Sequence, residues 1–309
     1  MKVLIIGLGK IGFEYDLKKK MFLTHSSAFY FNKKFKLVGA VEKDKSKLKL
    51  FENRYKAPGF IKIKDALKKL NPDIIVVSVN TKFHLQVIKK IFLCKFKNKI
   101  IFCEKPCGNS LSEIREIKKI SKKNNTKVFV NYMRNSLSGV NELIKIFKRD
   151  KGYFKGIAYY NNNLLNEASH YINLFLKIFG KVTKVKNEII KSLGKKINNF
   201  TLFFNKGEIK FICLNNTSYH NSRFEIFLRS RHINYDSDQD LLNFYGIKKN
   251  KIYDNIILSR KTNKIIKLKF KDVQMQVANQ FLKRKNHKKF NLVTIDEAIK
   301  TMEIIDKLK

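Results

Sequence analysis

Met1-Lys-Val-Leu-Ile-Ile-Gly7-Leu-Gly9-Lys-Ile-Gly12 opens the chain and decides the reading of its fold. A short apolar run stops at Gly7, and glycines follow at 9 and 12. Such a run bounded by glycine reads as a buried strand of a parallel sheet. Glycines at this spacing allow a tight turn, close approach of the backbone to a pyrophosphate, and tight packing of a helix on the strand. Gly7, Leu8, Gly9, Lys10, Ile11 and Gly12 are therefore candidate dinucleotide-binding residues, with the phosphates at a helix N-terminus. The apolar run is too short for a signal peptide, so no targeting segment is expected.

Residues 1–131 alternate short apolar runs with amphipathic ones, the signature of repeated βαβ units. Strands are expected at Lys2–Gly7, Lys36–Val41, Ile74–Val79, Ile100–Cys103 and Lys127–Asn131, with helices near 10–15, 25–32, 45–54, 64–70, 82–93 and 110–123. Glu42 ends the second strand, where a carboxylate can accept hydrogen bonds from the ribose hydroxyls of an adenosine and repel a 2′-phosphate. That favours NAD, although Lys43 beside it leaves NADP open. Residues 15–24 read as a loop inserted between the glycine turn and Glu42.

Beyond Asn131 the character changes. An apolar helix is expected at about 164–179, ending at Gly180, followed by β-type segments at 182–191, 199–205, 208–214, 223–231 and 251–269. Asn205-Lys-Gly207 reads as a hairpin turn, and Thr294-Ile-Asp-Glu297 as a capping box opening the last of two closing helices. The expected architecture is an α/β chain. A doubly wound Rossmann domain of parallel strands (1–131) precedes a C-terminal α/β domain (132–309) on an open, mostly antiparallel sheet for substrate binding and oligomerisation.

Four groups of residues carry candidate chemistry. Lys99-Ile-Ile-Phe-Cys-Glu-Lys-Pro-Cys107 ends a buried strand in a charged pair and a proline. Ligands of open α/β sheets lie beyond such carboxyl ends, which makes Lys105 a catalytic candidate. In Asn166-Glu-Ala-Ser-His170-Tyr-Ile-Asn173, the polar residues 166, 170 and 173 recur at the spacing of one helix face. A polar stripe on so apolar a helix needs a polar cavity or dedicated partners, because unpaired buried polar groups cost on the order of 1–3 kcal/mol. Tyr132 and Arg134, leaving the last Rossmann strand, are candidate substrate contacts, the arginine suiting a carboxylate or diphosphate. His25 either borders the cofactor or substrate, or merely follows a helix start at Thr24 or Ser26.

Composition bounds the remaining classes. A 309-residue chain with 44% hydrophobic residues can fill two cores. The four cysteines (94, 103, 107 and 213) form neither a disulfide framework nor a metal-ligand pattern, so a reducing cytoplasm and no metal are expected. No run approaches the ~18 apolar residues of a membrane span. The net charge of +41 is nearly all lysine and spread evenly, alongside abundant Asn, Ile and Phe and no Trp. These residues share A/T-rich codons, so the charge reads as genome composition, and no nucleic-acid partner is expected.

Together these residues resemble the Gfo/Idh/MocA oxidoreductases over nearly the whole chain. The likeness rests on Gly7–Gly12, Glu42, Val79-Asn-Thr-Lys-Phe-His84, Glu104-Lys105-Pro106, Asn131-Tyr-Met-Arg134, the His170 helix and the closing Asp296-Glu-Ala298 helix. It implies NAD(P)-dependent oxidation of a sugar alcohol or reduction of a keto group, with Lys105 on the reacting oxygen and His170 as proton donor or acceptor. It further implies cofactor contacts from Asn80, His84 and Glu104, and assembly of like subunits through the C-terminal sheet. Asn166 and Asn173 stand where many members carry Asp, and the Asn-x-x-Ser-His helix is similar to that of members associated with surface-polysaccharide sugars; Arg134, suited to a diphosphate, makes a nucleotide-linked sugar a candidate substrate. A catalytically silent dinucleotide sensor is the rival reading. It would need neither Lys105 nor His170.

Overall fold

The computed structural model describes residues 1–150, 152–161, 163–192, 195–215 and 217–308, which form two compact units. The first comprises Met1–Ser136 and Lys271–Glu303; the second comprises Leu137–Phe270 and Ile304–Lys309.

In the first unit, strands β1 (Lys2–Ile6), β2 (Lys36–Val41), β3 (Gly59–Phe60), β4 (Ile74–Val77), β5 (Ile100–Cys103) and β6 (Lys127–Val130) are parallel, in the order β6-β5-β4-β1-β2-β3. Val293–Thr294 adds an antiparallel edge beside β6. The helices are α1 (His25–Phe31), α2 (Lys45–Tyr55), α3 (Ile63–Leu70), α4 (His84–Leu93) and α5 (Leu111–Lys123). All five expected strands and five of the six expected helices are present. Every residue of β4 and β5 is buried, as a sheet covered on both faces requires.

The division at 131 differs from that of the folded chain, because residues 271–303 belong with the N-terminal part. Their long helix, Val273–Lys285, buries Val277, Ala278 and Phe281 in the same core as Phe29, Phe102 and Phe129. The Phe281 ring lies 5.1 Å from Phe102 and 6.0 Å from Phe129, both edge-on. Burying one such ring contributes roughly 1.5–3 kcal/mol, enough to draw the segment back. The capping box at the last helix forms as expected: Thr294 N–H donates to Glu297 at 2.7 Å, and Glu297 N–H donates to Thr294 Oγ1 at 3.3 Å.

The second unit is an eight-stranded sheet, mostly antiparallel as expected. Its strands are β7 (Phe154–Tyr160), β8 (Val182–Ser192), β9 (Lys195–Phe204), β10 (Gly207–Cys213), β11 (Arg223–Leu228), β12 (Arg231–Asp236), β13 (Leu241–Lys249) and β14 (Ile256–Lys267), in the order β14-β13-β12-β11-β7-β10-β9-β8. Only β7 and β10 run parallel among these pairs. Two further helices are α6 (Val140–Arg149) and α7 (Ser169–Phe179). Their apolar faces meet the sheet through rings such as Phe147, Phe154, Phe175, Phe179 and Phe211. The expected single strand 223–231 ends at Leu228 and turns into β12, and α6, β7, β12 and β13 had no counterpart among the expectations.

Candidate dinucleotide site and the Glu104-Lys105 motif

The carboxyl ends of the parallel strands form one hydrogen-bonded row. Asn131 N–H donates to Cys103 O (2.8 Å), Glu104 N–H to Val77 O (2.9 Å), Ser78 N–H to Ile6 O (2.8 Å) and Gly7 N–H to Val41 O (2.9 Å). The first residues beyond the strands therefore stand side by side: Asn131, Glu104, Ser78, Gly7 and Glu42. Glu104 and Glu42 are three strand intervals apart, about 14 Å at ~4.8 Å per interval.

The glycine turn is built as its spacing requires. Gly7 has φ +99°, and a Cβ there would lie 2.8 Å from the backbone of Ser78 and Val79. A Cβ on Gly12 would lie 2.2 Å from Gly7 O, whereas one on Gly9 would meet nothing within 4 Å. Gly9 thus leaves an open approach to the backbone, and Gly12 lets the next turn close on Gly7. That turn, Lys10–Glu14, is a five-residue π-type helix, with Glu14 N–H and Tyr15 N–H reaching back five residues to Gly9 O and Lys10 O. The expected helix at 10–15 is therefore one wide turn, and the regular helix resumes at His25.

A cavity of about 640 Å³ opens against this turn. Gly7, Gly9, Glu42 and Asn80 are among its walls, together with Ser78 and Ile61, which the sequence reading did not single out. Ser78 directly follows the apolar β4 run, and its Oγ donates to Gly7 O at 2.8 Å. Leu8, Lys10, Ile11 and Gly12 shape the turn without lining the cavity. Glu42 Oε2 accepts from Leu8 N–H at 2.8 Å and its Oε1 from Lys43 N–H at 2.6 Å, so the carboxylate is anchored at the cavity wall. The fit to a dinucleotide is good: an open glycine and a carboxylate at the end of the second strand line one cavity.

His84, expected as a cofactor contact, is fully buried. Its Nδ1 lies 3.0 Å from Pro106 O and its Nε2 2.9 Å from Val79 O. The ring straps the loop after β4 to the Glu-Lys-Pro segment and does not line the cavity. Burial holds its pKa below the usual histidine value; the two carbonyls and the Glu104 charge oppose that without overcoming it. Asn80, by contrast, is exposed and caps the short turn Thr81–Phe83.

At the end of β5, Glu104 is held from two sides. His25 Nε2 lies 2.7 Å from Oε1, and Asn131 Nδ2 donates to the same oxygen at 2.6 Å. Lys105 N–H donates to Oε2 at 3.3 Å, and the Lys105–Pro106 peptide is cis. Burial pushes the Glu104 carboxyl up, but His25, Asn131 and the Lys105 charge outweigh it and hold its pKa below the usual range. Lys105 is half-buried; Tyr132 is buried, and Arg134 half-buried in the turn Met133–Ser136.

In the second unit, His170 and Asn173 are buried on α7, while Asn166 is exposed. The expected stripe is broken at its first member. Leu164–Ala168 is a π-type turn capped by Asn163, which accepts from Leu165 N–H at 2.9 Å and Asn166 N–H at 3.1 Å. The extra residue in that turn re-phases position 166 against α7. Glu167 in the same turn accepts from Asn161 N–H at 2.7 Å, and Tyr171 shares a hydrogen bond with Ser222 Oγ at 2.7 Å.

A parallel sheet with this glycine turn and acidic second-strand end, followed by an α/β unit on an open sheet, defines the class: a two-part protein with a Rossmann dinucleotide-binding domain. Residues 1–132 match the Gfo/Idh/MocA family model, described as "Oxidoreductase family, NAD-binding Rossmann fold". No curated protein matches the chain in sequence. Solved structures share its fold over nearly full length. One is a UDP-N-acetylglucosamine 3-dehydrogenase from Acidithiobacillus ferrooxidans (13% identity, TM-score 0.78, covering 100% of this chain and 96% of that one). Another is an aldose-aldose oxidoreductase from Caulobacter crescentus complexed with glycerol (15%, 0.76, 100% and 96%). A third is an oxidoreductase from Agrobacterium radiobacter in complex with NAD+, L-tartaric acid and magnesium (10%, 0.74, 99% and 94%). Among the described residues, no helix is long and apolar enough to cross a membrane.

Proposed function

We propose that this protein transfers a hydride reversibly between NAD and a carbinol or keto carbon of a sugar or nucleotide-linked sugar. The observation that carries the reading is the shared row at the strand ends, in which Glu104, with Lys105 next in sequence, stands in line with Ser78, Gly7 and Glu42. The nicotinamide cofactor, when bound, supplies or accepts the hydride. Lys105, as an ammonium, stabilises negative charge growing on the substrate oxygen during reduction. His170 is the proton donor or acceptor, a role resting on the family resemblance.

The sugar class is supported by that resemblance, by the Asn-x-x-Ser-His sequence of the α7 region, and by the enzymes whose fold the chain shares. Asn80 and Glu104 toward the cofactor, and Tyr132, Arg134, Asn166 and Asn173 toward the substrate, belong to the same proposal. Glu42 favours NAD, and titration with NADH and NADPH side by side tests that preference. We further propose a cytoplasmic homo-oligomer assembled through the open face of the second sheet, where Phe227, His232 and Tyr245 stack in a row. Light scattering of the purified chain tests the oligomer.

The test of function is a panel of sugars and nucleotide sugars followed by NADH absorbance in both directions. Turnover by the wild-type protein, lost in Lys105→Ala with NADH binding intact, is the expected result. Equal turnover by Lys105→Ala overturns the assignment.

A further inference from the structure

We infer that His25 is a positioning residue of the candidate site: it holds the Glu104 carboxylate in place beside Lys105. The inference deepens the proposed function and rests on its reading of Lys105. It stands first on geometry. His25 is 1% exposed, with its ring edge-on to Phe102 at 5.4 Å, so the imidazole has one packed orientation. In that orientation Nε2 lies 2.7 Å from Glu104 Oε1, and the Glu104 side chain is 12% exposed. A carboxylate this deep needs charge-assisted partners, or it takes up a proton or turns toward water.

The elements behind His25 explain why it can bear on the motif. Thr24 caps α1, and buried Asp16 gathers Leu23 N–H, Thr24 N–H, Thr24 Oγ1 and Ser27 Oγ at 2.5–3.1 Å. The next residue, Ser26, donates from Oγ to Gly12 O at 2.7 Å. Two consecutive residues thus reach the two halves of the site, Ser26 the glycine turn and His25 the lysine motif. The inserted loop ending at Thr24 sets the start of α1 and with it both contacts. Other groups face Glu104 as well: Asn131 from the end of β6, Lys105 beside it, Cys103 from its own strand and His84 from α4. His25 is the largest of the influences that keep the carboxyl ionised. An ionised Glu104 in turn favours the ammonium form of Lys105.

The test reads Lys105 without any substrate. Competitive labelling of the full-length protein with acetic anhydride over a pH series, followed by peptide mass spectrometry, gives the reactivity of Lys105 against the other lysines. In His25→Ala the labelling rate of Lys105 at pH 8 rises about tenfold, the change that a pKa fall of roughly one unit produces. His25→Phe keeps the ring packing on Phe102 while removing the hydrogen bond. It gives the same rise and carries the test should the alanine variant fail to fold. His25→Gln, whose amide N–H can reach the same oxygen, labels as the wild type does. Unchanged Lys105 labelling in the Ala and Phe variants overturns the inference, as does a rise in Gln equal to that in Ala. Because turnover of Lys105→Ala tests the catalytic reading separately, failure of one is distinguishable from failure of the other.

Discussion

Replacing Gly9 and Gly12 by alanine, one at a time, separates the two tasks of the glycine turn. Gly9 has φ −76° and ψ −166°, a conformation open to alanine, and its Cβ would meet nothing within 4 Å. Gly9→Ala should fold at no cost, and reduced freedom of the unfolded chain should stabilise it by about 0.4–1 kcal/mol. The new methyl nevertheless stands on the cavity wall where the backbone must approach a pyrophosphate, so NADH affinity should fall at least tenfold, or ~1.4 kcal/mol. Gly12→Ala inverts the pattern. Its Cβ would lie 2.2 Å from Gly7 O and 3.0 Å from Ser78 Oγ, and the first of these is backbone. Relieving that overlap moves the turn by about 1 Å at a cost of roughly 1–3 kcal/mol. At about 2–4 °C per kcal/mol for a unit of this size, the melting temperature should drop by roughly 2–12 °C. Thermal melts by circular dichroism and NADH fluorescence titrations measure both quantities. A Gly9→Ala protein that binds NADH as tightly as the wild type, or a Gly12→Ala protein that melts unchanged, would refute the reasoning.

Three further outcomes follow from the same geometry. His84 has a folded pKa below its ordinary 6.5, so below that pH the unfolded chain binds a proton that the folded chain does not; stability should fall as pH drops from about 6.5 toward the folded pKa, and His84→Gln should flatten this dependence in melts between pH 7.5 and 5.5. Asp16→Ala strands the buried Thr24 and Ser27 donors and should cost at least ~2 kcal/mol in urea unfolding; a variant within about 0.5 kcal/mol of wild type, the range of surface substitutions, would contradict the account of the inserted loop. His170→Ala should remove one limb of the pH–rate profile once a substrate is found, and an unchanged profile would make the residue structural.

Much of the first unit was legible because its signals are local. The strand ending at Gly7 and the runs ending at Val77 and Cys103 each announce a buried parallel strand by apolar content and an abrupt polar stop. Gly59–Phe60 and Val293–Thr294 escaped because two residues carry no periodicity. The return of Val273–Lys285 to the first core escaped for another reason: its apolar face specifies that it packs, and the topology specifies where. In the site, Lys105, Glu42 and the glycines declared themselves through position at strand ends. The bond between His25 and Glu104 joins residues 79 apart, and no sequence pattern links them. Asn166 is exposed where His170 and Asn173 are buried, because one added residue in the Leu164–Ala168 turn shifts the face without altering the apolar spacing of the helix.

The central claim is that Lys105 acts on substrate next to a bound nicotinamide dinucleotide. Its most direct test pairs two measurements on the wild type and Lys105→Ala: NADH binding by fluorescence, and NADH oxidation or NAD reduction across nucleotide sugars and free sugars. The account predicts equal NADH affinity for both proteins and turnover of at least one sugar by the wild type alone. Turnover by Lys105→Ala at the wild-type rate, or no binding of NADH or NADPH by the wild type, would contradict it.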